Sequence, residues 1–269
     1  ADGVLTSAQV AAKVESSVVA ITTEHMNTSN YWFGNYVTSG AGSGVIISQD
    51  GYILTCAHVI DGASKITVEL QGGETAVATL VGSYTNGDIA VIKIDPGKDR
   101  LKPVVLGKSG ELLVGEDIIA IGNPLGSLGG TVTSGIISAL DRELEIDGES
   151  MRLLQTNAAV NPGNSGGGLF NMAGELVGIV NAKVADRTVE GLGFAIPVDT
   201  AYDIIQEIVK HGYVQGRPAL GFEVRDVTSY QTAMRYFNSF YTGVYVYDKE
   251  HDVVKYGDLI LEVNGQKLR

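Results

Sequence analysis

The sequence has one cysteine, Cys56, and six prolines in 269 residues, with no apolar run long enough to cross a membrane as a helix. A lone cysteine excludes an intrachain disulfide and a thiolate metal site. A core of this size needs no covalent staple, so the shortage of cysteine does not argue against an extracellular location. Basic clusters are also missing. With 31 acidic against 19 basic residues and a net charge of −12, a nucleic-acid partner or an anionic membrane surface is disfavoured. The four histidines, His25, His58, His211 and His251, have no metal-ligand spacing, and neither a metal nor a cofactor is expected. "GNPLGSLGG" lacks the Lys-Ser/Thr of a phosphate loop and its strand-to-helix setting. No repeat or signal-peptide pattern is visible; the opening "ADGVLTSAQ" is compatible with a leader or membrane anchor preceding it.

Glycine, in contrast, is abundant: 35 of 269 residues, about twice the usual ~7%. Without a G-X-Y period, this excess indicates many tight turns. Between Val18 and Ile196, short runs rich in Val, Ile, Thr and Leu recur between turn signals, among them "VVAITTE", "GSGVIIS", "KITVELQ", "DIAVIKI" and "EDIIAIG". A dozen such strands without long helices between them predict a mainly β protein, built as two packed antiparallel barrels. Two helices frame this region. "TSAQVAAKVESSV" has Gln9 at capping-box spacing from Thr6. "PVDTAYDIIQEIVKHGY" predicts a helix capped by Asp199 or Thr200, with a stripe of Ile204, Ile205, Ile208 and Val209, ended by Gly212. After "QGRP" the chain returns to β-like runs. The expected division is 1–17, an N-terminal helical segment; 18–212, the barrels; and 217–269, a small second domain.

One stretch is hard to explain as scaffold. "TNAAVNPGNSGGGLF" surrounds Ser165 with Pro162 and glycines 163, 166, 167 and 168. Read as G-x-S-x-G, it would need a strand–turn–helix setting with acid and histidine following the serine; the downstream pattern is turn then strand. The order His, Asp, Ser fits instead. "ILTCAHVI" ends a strand at His58, "TNGDIAVIKI" begins one at Asp88, and Ser165 follows. A serine hydroxyl becomes a nucleophile when an imidazole takes its proton, and a buried carboxylate sets the tautomer of that imidazole. An oxyanion would need backbone N–H donors, here Gly163 and Ser165, with Asn164 as a third candidate. The glycines would permit the required dihedrals and admit the substrate backbone.

Taken together, "LTCAHVI", "GDIAVIKI", "GNPLG", "TVTSGIISAL", "QTNAAVNPGNSGG" and "GLGFAIP" resemble the HtrA (Deg) family of trypsin-like serine proteases. The resemblance implies a trypsin-like double β-barrel, a linking helix and a PDZ domain, and a homotrimer outside the cytoplasm that cleaves misfolded or exported proteins. It implies His58 as general base, Asp88 as orienting acid and Ser165 as nucleophile. It also places Ala159, Val160, Asn181, Ala182 and Phe194 near the pocket for the residue before the cut, an apolar surrounding that suits small aliphatic side chains. Three positions depart from the family pattern: Cys56, Asn157 and Gly168. Cys56 is read as a small buried residue rather than a redox sensor.

"RPALGFEV" resembles a PDZ carboxylate-binding loop, with Ala219, Leu220, Gly221 and Phe222 at its centre and C-terminal peptides as the implied ligands. Residues 217–269 are few for a complete PDZ domain, and "HDVVKYGD" leaves little room for its second helix. "NYWFGNY" offers Tyr31, Trp32, Phe33 and Tyr36 for trimer contacts or local packing, and Arg142 lies where the family has an activation-sensing loop. The alternative to a protease is a module that holds unfolded segments without cutting them; it leaves three filled triad positions unexplained.

Overall fold

Short β-branched strands with one apolar face hide that face most completely when the sheet closes on itself. Two such closures make up most of this molecule. The computed structural model describes residues 5–27, 36–97, 101–123, 130–146, 149–183, 191–216, 222, 224–247, 253–263 and 265–268. Two compact units divide the chain, residues 1–215 and 216–269.

In the larger unit, helix α1 (Ser7–Val14) leads into strands β1 (Val18–Asn27), β2 (Tyr36–Ile46) and β3 (Tyr52–Thr55). The single-turn helix α2 (Ala57–Ile60) follows, then β4 (Lys65–Glu69), β5 (Thr75–Tyr84) and β6 (Ile89–Lys93). These strands close in the order β1-β2-β3-β6-β5-β4, with β4 pairing back onto β1. After the short β7 (Val105–Leu106) come β8 (Asp117–Gly122), β9 (Thr131–Ile146), β10 (Glu149–Thr156), β11 (Gly168–Asn171), β12 (Glu175–Val180) and β13 (Gly193–Pro197). Their order is β11-β8-β9-β10-β13-β12, closed by a β11–β12 pairing, with β7 added in parallel at β12. The expected dozen strands are these twelve. The fold is mainly β, a trypsin-like double barrel.

Ile89, Ala90, Val91 and Ile92 of β6 are all fully buried, which is why that strand reads as an unbroken apolar run rather than an alternation. Its inward side chains fill the first barrel, and its outer face lies under helix α3 (Val198–His211), which also packs on β5 and β12. One core cluster therefore runs from Val10 of α1 through both barrels to Ile208 of α3, and a second, around Leu154, Leu169 and Val180, completes the second barrel. Each fully buried Ile or Leu contributes ~1.5–3 kcal/mol of transfer free energy.

The α1 capping box forms: Gln9 N–H donates to Thr6 Oγ1 at 3.3 Å and Thr6 N–H to Gln9 Oε1 at 2.9 Å. Helix α3 differs from expectation in its N-cap and in one residue of its buried stripe. Neither Asp199 nor Thr200 is the N-cap; Pro197 occupies that position without a side-chain bond. The cap comes from elsewhere: the Asp199 N–H donates to Ser109 Oγ at 3.1 Å, while the Asp199 carboxylate accepts the Gly110 N–H at 2.8 Å. Val209 is 40% exposed, so the buried stripe is Val198, Ala201, Ile204, Ile205 and Ile208. Gly212 ends the helix as expected, at φ 82.

The smaller unit holds a three-stranded antiparallel sheet of β14 (Val224–Val227), β15 (Gly243–Val246) and β16 (Leu259–Ile260), and a hairpin of β17 (Glu262–Val263) and β18 (Gln266–Lys267). Helix α4 (Tyr230–Phe237) lies against β14. The sequence reading gave β-like runs here and missed this helix, although Ser229 caps its Thr232 N–H and Asn238 closes it in a left-handed conformation. Its core is small: Val227, Ala233 and Tyr245, with Phe237 stacked on Tyr245 at 4.4 Å between ring centroids. Among the described residues no helix lies between β15 and β16.

Candidate active site

The first barrel supplies an imidazole and a carboxylate. Strand β3 ends at Thr55, and the next three residues turn into α2, so His58 sits on that helical turn rather than at the strand end. Asp88 follows a 3-10 turn over Thr85–Gly87 and directly precedes β6. Its φ of 51 is left-handed, a conformation that Asp and Asn tolerate better than most residues. This backbone geometry lets Asp88 grip the other segment twice. Its carbonyl accepts the Ala57 N–H at 3.1 Å, and its carboxylate accepts the His58 N–H at 2.9 Å.

The side chains then align. His58 Nδ1 lies 2.6 Å from Asp88 Oδ2, and His58 Nε2 lies 3.0 Å from Ser165 Oγ. The carboxylate can only accept, so Nδ1 carries the proton in this pair. Neutral His58 then presents a bare Nε2 to the serine O–H. Asp88 is 6% exposed, and a third donor reaches it: Asn181 Nδ2 at 2.8 Å from Oδ2.

Ser165 comes from the second barrel, in the link between a 3-10 turn over Pro162–Asn164 and strand β11. The link is held by backbone contacts. Ser165 C=O accepts from Ser43 N–H at 2.8 Å, Gly166 N–H donates to Val180 C=O at 2.9 Å, and Gly167 N–H donates to Asn164 C=O at 2.9 Å. The sequence reading gave these glycines two roles, permitting unusual dihedrals and admitting the substrate backbone; close packing within the protein is a further cause. At Gly166, φ is 81 and a Cβ would collide with Ser43 C=O and Thr55 Oγ1; at Gly167 it would collide with Ile121 C=O. The loop is glycine-rich because the protein's own backbone presses against it. Gly168 has a related cause, since the buried Phe170 ring occupies the space a Cβ would need.

Other expected residues divide. Asn164 N–H is engaged by Asn161 C=O at 2.8 Å within the turn, so it is not free as a third donor. Ala182 N–H donates to Ser165 Oγ at 3.0 Å. Asn181 was placed with the pocket residues, but its fully buried side chain turns to Asp88 instead, while its N–H donates to Phe194 C=O at 2.9 Å. The Phe194 side chain belongs to the main core cluster. Ala159 is exposed, its carbonyl accepting from Thr133 Oγ1 at 2.9 Å. Half-buried Val160 faces Gly193, where a Cβ would come within 2.8 Å of its methyl. Asn157 ties β9 to β10 by accepting the Ile136 N–H at 2.8 Å. Arg142 Nε donates to Gln155 Oε1 at 2.8 Å. Ala219, Leu220, Gly221, Tyr31, Trp32, Phe33 and His251 lie outside the described residues, as does the side chain of Tyr36; Phe222 is half-buried.

Cys56 packs behind this constellation, fully buried, with its thiol 3.5 Å from Val180 C=O. Burial first, then the Asp88 carboxylate, push its titration well above the ordinary thiol range. Cys56, His58 and Asp88 place potential ligand atoms within 4.8 Å of one another. The thiol is neutral, however, and the carboxylate is already engaged by three donors.

A double barrel with an acid–imidazole–hydroxyl chain at the seam defines the class of trypsin-like serine proteases, and the family described as trypsin-like peptidase domain matches residues 42–179. Relatives narrow this further. The chain is 43% identical over 244 residues to Serine protease Do-like HtrB of Bacillus subtilis, covering 83% of this chain and 53% of that protein. It is 44% identical over 233 residues to "Probable periplasmic serine endoprotease DegP-like" of Halomonas elongata, covering 84% of this chain and 48% of that one. The solved structure of the HtrA-type protease AlgW with a decapeptide superposes with a TM-score of 0.69 at 34% identity, over 98% of this chain and 87% of that one. The chain belongs to the HtrA/Deg family of serine proteases. It spans about half the length of the first curated relatives it matches.

Proposed function

We propose that this chain is a serine endopeptidase that cuts exposed segments of misfolded or exported proteins through an acyl-enzyme on Ser165. The observation that carries the reading is the unbroken chain from Asp88 through His58 to Ser165, at 2.6 and 3.0 Å. In this scheme Nε2 of His58 takes the Ser165 proton as Oγ attacks the substrate carbonyl. Asp88 keeps Nδ1–H in place and stabilises the imidazolium that forms. The amides of Gly163 and Ser165 receive the developing oxyanion. The imidazolium then protonates the leaving amine, and a water activated by the same Nε2 releases the acyl group.

The apolar side chains of Ala159 and Val160 suit a small aliphatic residue before the cut. Relatives named as periplasmic support an extracytoplasmic site of action, and no helix among the described residues is long and apolar enough to cross a membrane. Family membership supports a homotrimer and capture of C-terminal peptides by residues 217–269 as parts of this reading. The AlgW structure with a decapeptide is that of a relative with peptide bound.

A fluorophosphonate probe tests the assignment. It is expected to label the chain at Ser165 and to leave Ser165→Ala unlabelled, while an unfolded client is fragmented by the wild type alone, with an activating peptide present. A wild type that suppresses client aggregation under those conditions yet yields no fragments and no label would replace the protease with a holding module.

A further inference from the structure

The seam between the barrels contains a buried hydroxyl that the triad does not use. Ser43 of β2 is fully buried and makes four hydrogen bonds around the nucleophile loop. Its N–H donates to Ser165 C=O at 2.8 Å, and its C=O accepts from Thr55 Oγ1 at 2.7 Å. Its Oγ accepts the Asn123 N–H at 2.8 Å and donates to Gly163 C=O at 2.7 Å. The last two bonds form a directed relay. Because the Asn123 amide can only donate, it occupies a lone pair of the hydroxyl and turns its proton toward Gly163.

The Gly163 carbonyl belongs to the peptide plane between residues 163 and 164. The other end of that plane, Asn164 N–H, is bonded to Asn161 C=O. The plane is thus fixed at both ends, once from within the loop and once from the opposite barrel. The two amides assigned to the oxyanion, those of residues 163 and 165, belong to the planes on either side of it. A displacement of the central plane carries the Cα atoms of residues 163 and 164, from which the two neighbouring planes start, and so moves both amides. We infer that Ser43 is a positioning residue of the reaction: its hydroxyl sets the orientation of the oxyanion donors without touching substrate. Among the described residues the side chain that bonds the Gly163 carbonyl is that of Ser43, so the first barrel would control transition-state stabilisation by this route as well as through His58 and Asp88.

The inference rests on the hydrolase reading above, and the experiment separates the two. Wild type, Ser43→Ala, Ser43→Cys and Thr55→Val are compared with an activating peptide present. The measurements are kcat and KM on a fluorogenic peptide, inhibition by a peptide boronic acid, and Tm. Removing an oxyanion donor outright lowers turnover by about 10² to 10³; misaiming donors should cost less. Ser43→Ala is expected to lower kcat by about 10- to 50-fold and weaken the boronate, which needs the anion site, by a similar factor, with KM nearly unchanged. Ser43→Cys keeps a weaker donor at the same place and should fall in between. Thr55→Val removes a neighbouring buried hydroxyl from the same residue's carbonyl; it should lower Tm while kcat stays close to wild type.

Ser43→Ala with wild-type kcat overturns the inference, as does Thr55→Val losing kcat to the same extent, which would mean general loosening of the seam. If Ser43→Ala does not fold, Ser43→Cys decides, and an undiminished kcat in that variant overturns it. A wild type without turnover overturns the hydrolase reading and this inference together.

Discussion

The two barrels share an architecture and contribute to the seam in opposite ways. The first places chemistry through side chains on short regular elements: His58 on a helical turn and Asp88 at the mouth of a strand, joined to each other by backbone and side chain alike. The second places Ser165 through an irregular link whose position is set by main-chain contacts, by glycines that permit them and by one hydroxyl from the opposite barrel, that of Ser43. Chemistry in the first barrel is thus sensitive to the identity of a functional group. In the second it is sensitive to volume at positions that carry no functional group at all.

Four substitutions or treatments probe this contrast. Asp88→Asn keeps a residue that accepts the left-handed backbone, so the fold should persist with Tm little changed. It withdraws the acceptor that fixes the imidazole tautomer, and kcat should fall by about 10⁴; a loss below tenfold would show that Asp88 does not orient the base. Gly166→Ala adds one methyl and alters no reactive group. The left-handed backbone and the collision with Ser43 C=O together should cost about 2–5 kcal/mol of stability, read in denaturant melts, with turnover lost alongside. Wild-type stability there would remove the claim that the loop is limited by space. Asn181→Ala takes one donor from the Asp88 carboxylate. A bond to a charged group is worth about 1.5–3 kcal/mol, so kcat should drop by about tenfold or somewhat more, with KM less affected.

The smallest effect is expected at Cys56. Its titration is raised in the folded state, so the folded chain holds the thiol proton to higher pH than the unfolded chain does. The stability linked to this group is therefore present below the ordinary thiol range and declines as pH rises through and above it. Iodoacetamide at pH 8.5 should leave native Cys56 unmodified and alkylate it after denaturation, because the attacking species is the thiolate. Rapid modification of the native chain would contradict the sealed, neutral thiol.

Much of this contrast is legible in the amino-acid sequence. Strand runs and turns gave the double barrel, and His58, Asp88 and Ser165 stood out because their order and surroundings are hard to explain as scaffold. What escaped was non-local. Nothing in "GIVNAKV" shows that Asn181 turns toward Asp88, since the two are far apart in sequence and meet only when both barrels close. The cap of α3 comes from Ser109, so Asp199 and Thr200 looked like caps by local pattern alone. Ser43 sits in "GSG", where a small polar residue between glycines reads as strand filler. Helix α4 was missed for a different reason. Its signals are local, Ser229 at the start and Asn238 at the end, but the surrounding tyrosines and valines favour a strand reading.

The sealed sulfhydryl has a practical consequence. Because the native thiol is buried and protonated, a second cysteine introduced at an exposed position, such as Leu113, which is 66% exposed, would be the preferred target for maleimide dyes or spin labels. Single-label fluorescence or paramagnetic relaxation could then be read from one chosen surface position in a chain that keeps its natural residue at 56.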